Sequence, residues 1–265
     1  MASKKGFWPN SDRSRYFADN WTILVGQKSC TRNHCMESTS SNPIIETRNL
    51  TRIYALGDSN VIGVNTIDLS VDAGELMVLK GDSGSGKSTL LSLLAGLDRP
   101  TRGVLMVADH DLTTATPANL THFRREVVGM VFQAFNLMPT LTVLENVSLP
   151  GLLAGKNPDV VTSKAVELLE WLGLSRRRYH LPAQLSGGEM QRTAIARALI
   201  NDPDIIIADE PTGNLDSRNG QIVVDLLAQL NRKWRRTVIM ATHSSLADSL
   251  ATVKVNLKDG MISDG

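Results

Sequence analysis

Residues 81–89 read Gly81-Asp82-Ser83-Gly84-Ser85-Gly86-Lys87-Ser88-Thr89 and fit the pattern G-x-x-x-x-G-K-S/T. Glycines at this spacing let successive backbone N–H groups turn inward around phosphate oxygens, and a helix that follows aims its positive end at the same anion. Lys87 is placed to reach β- and γ-phosphates, and the Ser88 hydroxyl to bind Mg²⁺. A second chemical signal is Ile205-Ile206-Ile207-Ala208-Asp209-Glu210. Acids at strand ends are common, but an apolar strand that ends in an acid, paired with such a loop, is a metal-facing arrangement, which gives Asp209 the cation. Glu210 then has no metal duty and is free to accept a proton from an attacking water.

A third segment, Leu185-Ser186-Gly187-Gly188-Glu189-Met190-Gln191, opens a helical stretch through Ala194, Ala196 and Leu199. Ser186 and Glu189 form a capping-box pattern, which by itself is ordinary helix chemistry. The same Ser-Gly-Gly start also exposes N–H groups to an anion. One phosphate loop needs no second phosphate-binding helix start, unless that start serves the nucleotide of another copy.

These residues need strands and helices to hold them. Leu76-Met77-Val78-Leu79 is a short apolar run of buried-strand type immediately before the glycine-rich loop, and 90–97 reads as a buried helix after it, with Gly96 and Pro100 near its end. Residues 67–71 alternate as a half-buried strand, 127–132 is a further strand candidate, and 205–208 and 238–241 are continuous apolar runs of parallel-strand type. Between them the middle third reads as helical, with Ser163 expected to cap a helix that carries Val166, Leu169 and Leu172 and ends at Gly173. Strand–loop–helix alternation predicts an α/β layered domain.

Composition narrows the function classes. The 265 residues are 42% hydrophobic and 21% charged, with a formal net charge of +1, so no global charge calls for nucleic acid. No apolar run approaches the ~20 residues that span a bilayer, so work at a membrane requires docking on another subunit. Residues 1–41 are polar, lack periodicity and lead through a Ser-rich linker to a regular pattern that begins at Ile44. They are expected to form a structureless extension, of which residues 1–35 are dispensable for ATPase activity, with Met36 an alternative start. Cys30, His34 and Cys35 lack a fourth ligand, so no zinc site is expected there.

The three segments together resemble the nucleotide-binding domain of ABC transporters, over about residues 44–265 and in the family's order. Leu185-Ser186-Gly187-Gly188 is similar to the family's own signature. The resemblance implies an α/β P-loop NTPase core with a mainly parallel sheet, an antiparallel β subdomain that includes 44–71, and a helical subdomain inserted at about 134–200. It implies that Tyr54 stacks on adenine, a role in which the hydroxyl has no part. Gln133 would join Mg²⁺ and water to the transporter interface, Asp216 would lie in a loop crossing the dimer interface, and His243 would contact the γ-phosphate. ATP and Mg²⁺ are the implied ligands: Gly81, Asp82, Ser83, Gly84, Ser85, Gly86, Lys87, Ser88 and Thr89 hold the phosphates, Ser88, Gln133 and Asp209 the metal, and Ser186, Gly187 and Gly188 the partner's nucleotide. Lys87, Gln133, Glu210 and His243 carry the catalysis. Ser244 and Met190 depart from frequent family residues without removing any contact assigned above.

The implied partners are a second copy, head to tail, and integral-membrane permease subunits, which would hold the chain on the cytoplasmic side of the cell membrane. The exposed apolar residues Phe135, Leu137 and Met138 mark the expected docking side. Residues 136–147 and 208–216 are most similar to the lipoprotein-release, macrolide-export and cell-division branch of the family. The alternative is a soluble ABC ATPase of DNA repair or regulation. The first would need coiled coils or nucleic-acid elements absent from this chain. The second is disfavoured by the intact Lys87, Asp209, Glu210 and His243.

Overall fold

The computed structural model describes residues 43–57 and 59–263. The extension at 1–41, with its cysteines and Met36, lies outside the described residues. In chain order the elements begin β1 (Ile45–Leu56), β2 (Ser59–Val71), β3 (Leu76–Lys80), α1 (Lys87–Leu94), β4 (Arg102–Val107), β5 (His110–Asp111) and α2 (Pro117–Glu126). They continue with β6 (Val128–Val131), α3 (Val143–Leu153), α4 (Pro158–Trp171), α5 (Gly187–Leu199) and β7 (Ile205–Asp209). Then come α6 (Ser217–Trp234), β8 (Thr237–Ala241), β9 (Val253–Lys258) and β10 (Met261–Ser263).

The strands form two sheets. One has the order β2-β1-β4-β5 and is antiparallel throughout. The other has the order β10-β9-β3-β8-β7-β6, parallel except for β10. Its central strands are apolar on both faces, as a sheet covered on both sides requires: Ile205, Ile206, Ile207 and Ala208 of β7 and Val238 and Ile239 of β8 have no exposed surface. Helix α1 buries Leu90, Leu91, Leu93 and Leu94 within the main core cluster, which also contains Ile45, Leu50, Ile67 and Val71 from the antiparallel sheet. This is the α/β P-loop architecture the sequence implied.

The register sets the site. Leu79 of β3 and Asp209 of β7 both pair with Ala241 of β8, so the carboxyl ends of these three strands lie side by side. The loops that leave them carry residues 81–86, Glu210 and His243. Ligands of open α/β sheets bind at this edge.

Helices α3, α4 and α5 lie between residues 143 and 199 and begin with side-chain caps. Thr142 and Glu145 form a capping box on α3, and Ser186 and Glu189 form one on α5. Helix α4 corrects the sequence reading. Its cap is Asn157, whose Oδ1 accepts from Asp159 N at 2.9 Å and Val160 N at 3.4 Å, and Ser163 sits inside the helix. Pro158 at the first helical position is the reason: its fixed φ starts the helix there and it has no N–H to satisfy. The buried stripe is Val161, Ala165, Leu168 and Leu169, which leaves Val166 at its margin. The first helix also starts earlier than expected, at Lys87, and β2 runs from Ser59 rather than from residue 67.

Candidate functional site

Strand β3 ends at Lys80, and the loop turns through Gly86, at φ +102°, directly into α1. Asp82, Ser83, Gly84 and Ser88 are exposed, whereas Lys87 is buried. The Lys87 ammonium folds back into the loop and donates to the carbonyls of Gly81 at 2.7 Å and Asp82 at 3.0 Å. The loop therefore encloses a positive charge beside a helix start whose first N–H groups have no intrahelical acceptor, which suits an oligophosphate.

Asp209 closes β7 beside this loop. Burial pushes its carboxyl up from the usual range, against a hydrogen bond from Ser88, with Glu210 adding repulsion and Lys87 attraction. One of its oxygens, Oδ1, is buried with no partner. An orphaned carboxylate oxygen next to a serine hydroxyl is a donor set that fits a hard divalent cation such as Mg²⁺, with phosphate oxygens and water completing the shell. No group of three or more His, Cys, Asp or Glu residues with metal-binding geometry occurs among the described residues. Mg²⁺ held through phosphates needs no such group.

Glu210 follows at φ +45°, a region that side-chain-bearing residues rarely occupy. Its N–H donates to Ala241 O at 2.9 Å, continuing the strand pairing by one bond, and the positive φ then turns the chain away. The carboxylate lies with Oε1 4.0 Å from Lys87 Nζ and Oε2 3.0 Å from His243 Nδ1, and it also receives the His243 N–H at 3.4 Å. The His243 side chain is 72% exposed, so it stands at the mouth while Glu210 stands behind it. Lys87, Ser88, Asp209, Glu210 and His243 are thus brought together.

Gln133 reaches the same region through another loop. Its carbonyl accepts from Asn214 Nδ2 at 2.9 Å, and its side chain lies against Gly213, whose N–H donates to Glu210 O at 3.0 Å. No hydrogen bond joins it to Lys87, Ser88 or Asp209 among the described residues. Asp216 caps α6, accepting from Asn219 N at 2.9 Å and Asn219 Nδ2 at 2.7 Å, and these bonds hold its carboxyl below the usual range.

Ser186, Gly187 and Gly188 stand apart from the phosphate loop: no hydrogen bond or ion pair links them to residues 81–89 among the described residues. They pack instead on the loop before α6. A Cβ on Gly188 would fall 2.4 Å from Asn219 Oδ1, and one on Gly187 would fall 3.3 Å from Leu215 Cδ2. The Ser186 hydroxyl covers the N–H of Glu189 at 3.3 Å, which leaves the N–H groups of Gly187 and Gly188 without an intrahelical acceptor. Burial raises the Glu189 carboxyl, but bonds from Ser186 and Arg177 outweigh it and leave the group below its usual range.

Tyr54, on β1, is half-buried, and its hydroxyl donates to Asp98 Oδ2 at 2.8 Å, so the hydroxyl is engaged where the sequence reading gave it no part. Three further residues were not singled out from the sequence. Asp98 and Arg52 bond to one another beside Tyr54, and Arg197 of α5 donates to the carbonyls of Phe135, at 2.8 Å, and Asn136. The spacing of Arg52 and Tyr54 on one strand was an available signal. The contacts of Asp98 and Arg197 join positions too distant in sequence for local patterns to reveal.

Comparison with known proteins adds independent findings. Residues 64–213 match the ABC transporter family. The chain is 44% identical over 219 residues to an ABC transporter ATP-binding protein of Methanocaldococcus jannaschii, covering 83% of this chain and 97% of that one. It is 40% identical over 222 residues to the lipoprotein-releasing system ATP-binding protein LolD of Treponema pallidum, covering 84% and 98%. It is also 42% identical to the macrolide export ATP-binding/permease protein MacB of Hyphomonas neptunium, of which it spans 34%. Among solved structures it is similar to the dimeric post-hydrolysis state of the ATP-binding cassette MJ0796 bound to ADP and Pi. That likeness has a TM-score of 0.78 and 38% identity, and covers 83% of this chain and 97% of that chain.

Proposed function

The chain belongs to the ABC transporter family, and from that premise we propose that it is the ATP-hydrolysing subunit of a transporter, working as a dimer that powers a membrane permease. The single observation that carries the reading is the convergence of Lys87, Asp209, Glu210 and His243 on the phosphate loop. The loop 81–89 holds the triphosphate of ATP, with Lys87 supplying charge to its outer phosphates. Tyr54 carries the adenine. Ser88, Asp209 and Gln133 hold Mg²⁺, which when bound offsets the charge that develops on the β- and γ-phosphates.

Glu210 is the general base. Asp209 accepts a hydrogen bond from Ser88, whereas the Glu210 carboxylate stands behind the exposed His243, between it and Lys87. His243, hydrogen-bonded to that carboxylate, fixes its orientation and faces the γ-phosphate. Ser186, Gly187 and Gly188 present their helix start to the nucleotide of the second copy, and Asp216 lies at the seam between copies. Support for the dimer comes from the separation of these residues from the phosphate loop of their own chain and from the dimeric state of the similar cassette MJ0796.

The permease docks beside Gln133. A cavity of about 490 Å³ opens there, lined by Leu97, Arg125, Phe132, Asn136, Pro150 and Leu153. Leu153 and Met138 are 69% and 52% exposed, whereas Phe135 and Leu137, expected from the sequence to be exposed, are half-buried. No helix among the described residues is long and apolar enough to cross a membrane. In this reading the chain attaches to the cytoplasmic face through the permease. The names of the relatives point to lipoprotein release or export as the class of work. Cysteines placed at 135–140 should cross-link to the permease, and cross-links found only elsewhere would move the dock.

Glu210→Gln tests the chemistry. It keeps shape and hydrogen bonding but removes proton acceptance, and such a loss typically costs ~10²–10⁴ in rate. ATP binding should survive and the protein should accumulate as an ATP-bound dimer. Hydrolysis at the normal rate would remove Glu210 from the role.

A further inference from the structure

Tyr54 lies beside the phosphate loop because of an irregularity in the antiparallel sheet. Pairing of β1 with β2 runs Arg52 opposite Val64 and then Ile53 opposite Ile62, so Gly63 is the unpaired extra residue of a bulge. Bulges re-aim neighbouring side chains. A Cβ on Gly63 would fall 2.8 Å from both Tyr54 Cε2 and Thr89 Cγ2, so only a bare glycine lets the ring edge sit this close to the helix that carries the phosphate loop.

The ring is held at two further points. Its hydroxyl donates to Asp98 Oδ2 at 2.8 Å, and the same oxygen accepts from Arg52 Nε at 2.8 Å. The Arg52 guanidinium carbon lies 4.5 Å from the ring centroid and covers one face. Asp98 itself follows shortly after α1, the helix that opens with Lys87. The triad therefore ties the proposed base platform to the element that grips the phosphates.

We propose that Arg52 and Asp98 are positioning residues that lock Tyr54 in its base-stacking orientation, with one face of the ring already occupied by Arg52 and the other reserved for the purine. Neither touches the nucleotide. The inference rests on the reading of Tyr54 as the adenine platform. Its physical basis is preorganisation: a ring fixed before binding loses no rotamer freedom when the base arrives, which corresponds to about two- to twelve-fold in affinity for one side chain.

The test uses the full chain and two probes, ATP and inorganic tripolyphosphate, with KM and kcat measured alongside. Tyr54→Phe and Asp98→Ala should each weaken ATP binding about three- to ten-fold. Both should raise KM and leave tripolyphosphate affinity unchanged, and Asp98→Ala, which alters no residue in contact with the nucleotide, should leave kcat at saturation near normal. Tyr54→Phe and Asp98→Ala combined should cost little more than either alone. Tyr54→Ala should weaken ATP at least as much as Tyr54→Phe. If Tyr54→Ala weakens ATP while Tyr54→Phe and Asp98→Ala do not, the positioning role is overturned and the platform stands. If Tyr54→Ala has no effect, the platform reading itself fails. Equal loss of ATP and tripolyphosphate in Tyr54→Phe, the mildest change, would mean that the triad is only structural and would overturn the proposal.

Discussion

Adjacent acids at the end of β7 have different surroundings. Asp209 is packed under the phosphate loop with one carboxylate oxygen unpartnered, whereas Glu210 is turned out by its positive φ to meet His243. A buried carboxylate oxygen without a partner costs stability, a cost that the proposed cation would relieve when bound. Asp209→Asn should therefore raise the melting temperature of the nucleotide-free protein, by about 1 kcal/mol of stability. It should also abolish the extra stabilisation that Mg²⁺ adds to bound ATP, an effect that thermal melts with and without a chelator would read. Much at this scale was legible in the sequence. Residues 81–89 and 205–210 are contiguous, so their spacing alone states the geometry of a loop or a strand end. Tyr54 was legible as a residue but not as a contact, because Asp98 lies 44 positions away and local pattern says nothing about it.

Elements add constraints of their own. The loop before α6 and the first turn of α6 lie between Gln133, which meets Gly213 and Asn214, and the start of α5, where Gly187 meets Leu215 and Gly188 meets Asn219. Gly188→Ala would drive a methyl group into Asn219 and disturb the Asp216 cap of α6, costing about 1–2 kcal/mol. Adding Asn219→Ala removes the amide that the methyl strikes and should restore much of the melting temperature. ATP-driven dimerisation, read by light scattering, should recover with it, because the methyl points into α6 of its own chain rather than toward the second copy.

Helix α5 makes a second long-range contact. Arg197, whose guanidinium is shifted down by burial, holds the carbonyls of Phe135 and Asn136, both at positive φ. Arg197→Met should lower stability by about 1–2 kcal/mol, since lost charged hydrogen bonds outweigh the relief from burying a charge. Hydrogen exchange at residues 135–138 should accelerate selectively. The sequence placed α5 correctly through its Ser186 box but misplaced the start of α4 at Ser163. Both serines look alike as caps, and only the Asn157-Pro158 pair, with proline fixing the first turn, distinguishes the true start.

In the whole molecule, no hydrogen bond or ion pair among the described residues joins loop 81–89 to the helix start at 186–188. The sequence made both legible, because each is a local motif, and it could not state their separation, which depends on how α5 and the loop before α6 pack. A chain that starts at Met36 should fold and hydrolyse ATP like the full chain, since the pattern that builds both sheets begins at Ile44, and a steady-state ATPase assay checks this.

In the proposed dimer each ATP is held by two copies, and mixed dimers separate this arrangement from two independent sites. A dimer of one Ser186→Arg copy and one Lys87→Ala copy places both lesions in one shared site and leaves the other whole. A copy with both lesions, paired with a normal copy, damages both sites. ATP-dependent dimerisation should be stronger in the first dimer than in the second. Equal dimerisation of the two would mean that residues 186–188 of one copy do not reach the nucleotide of the other.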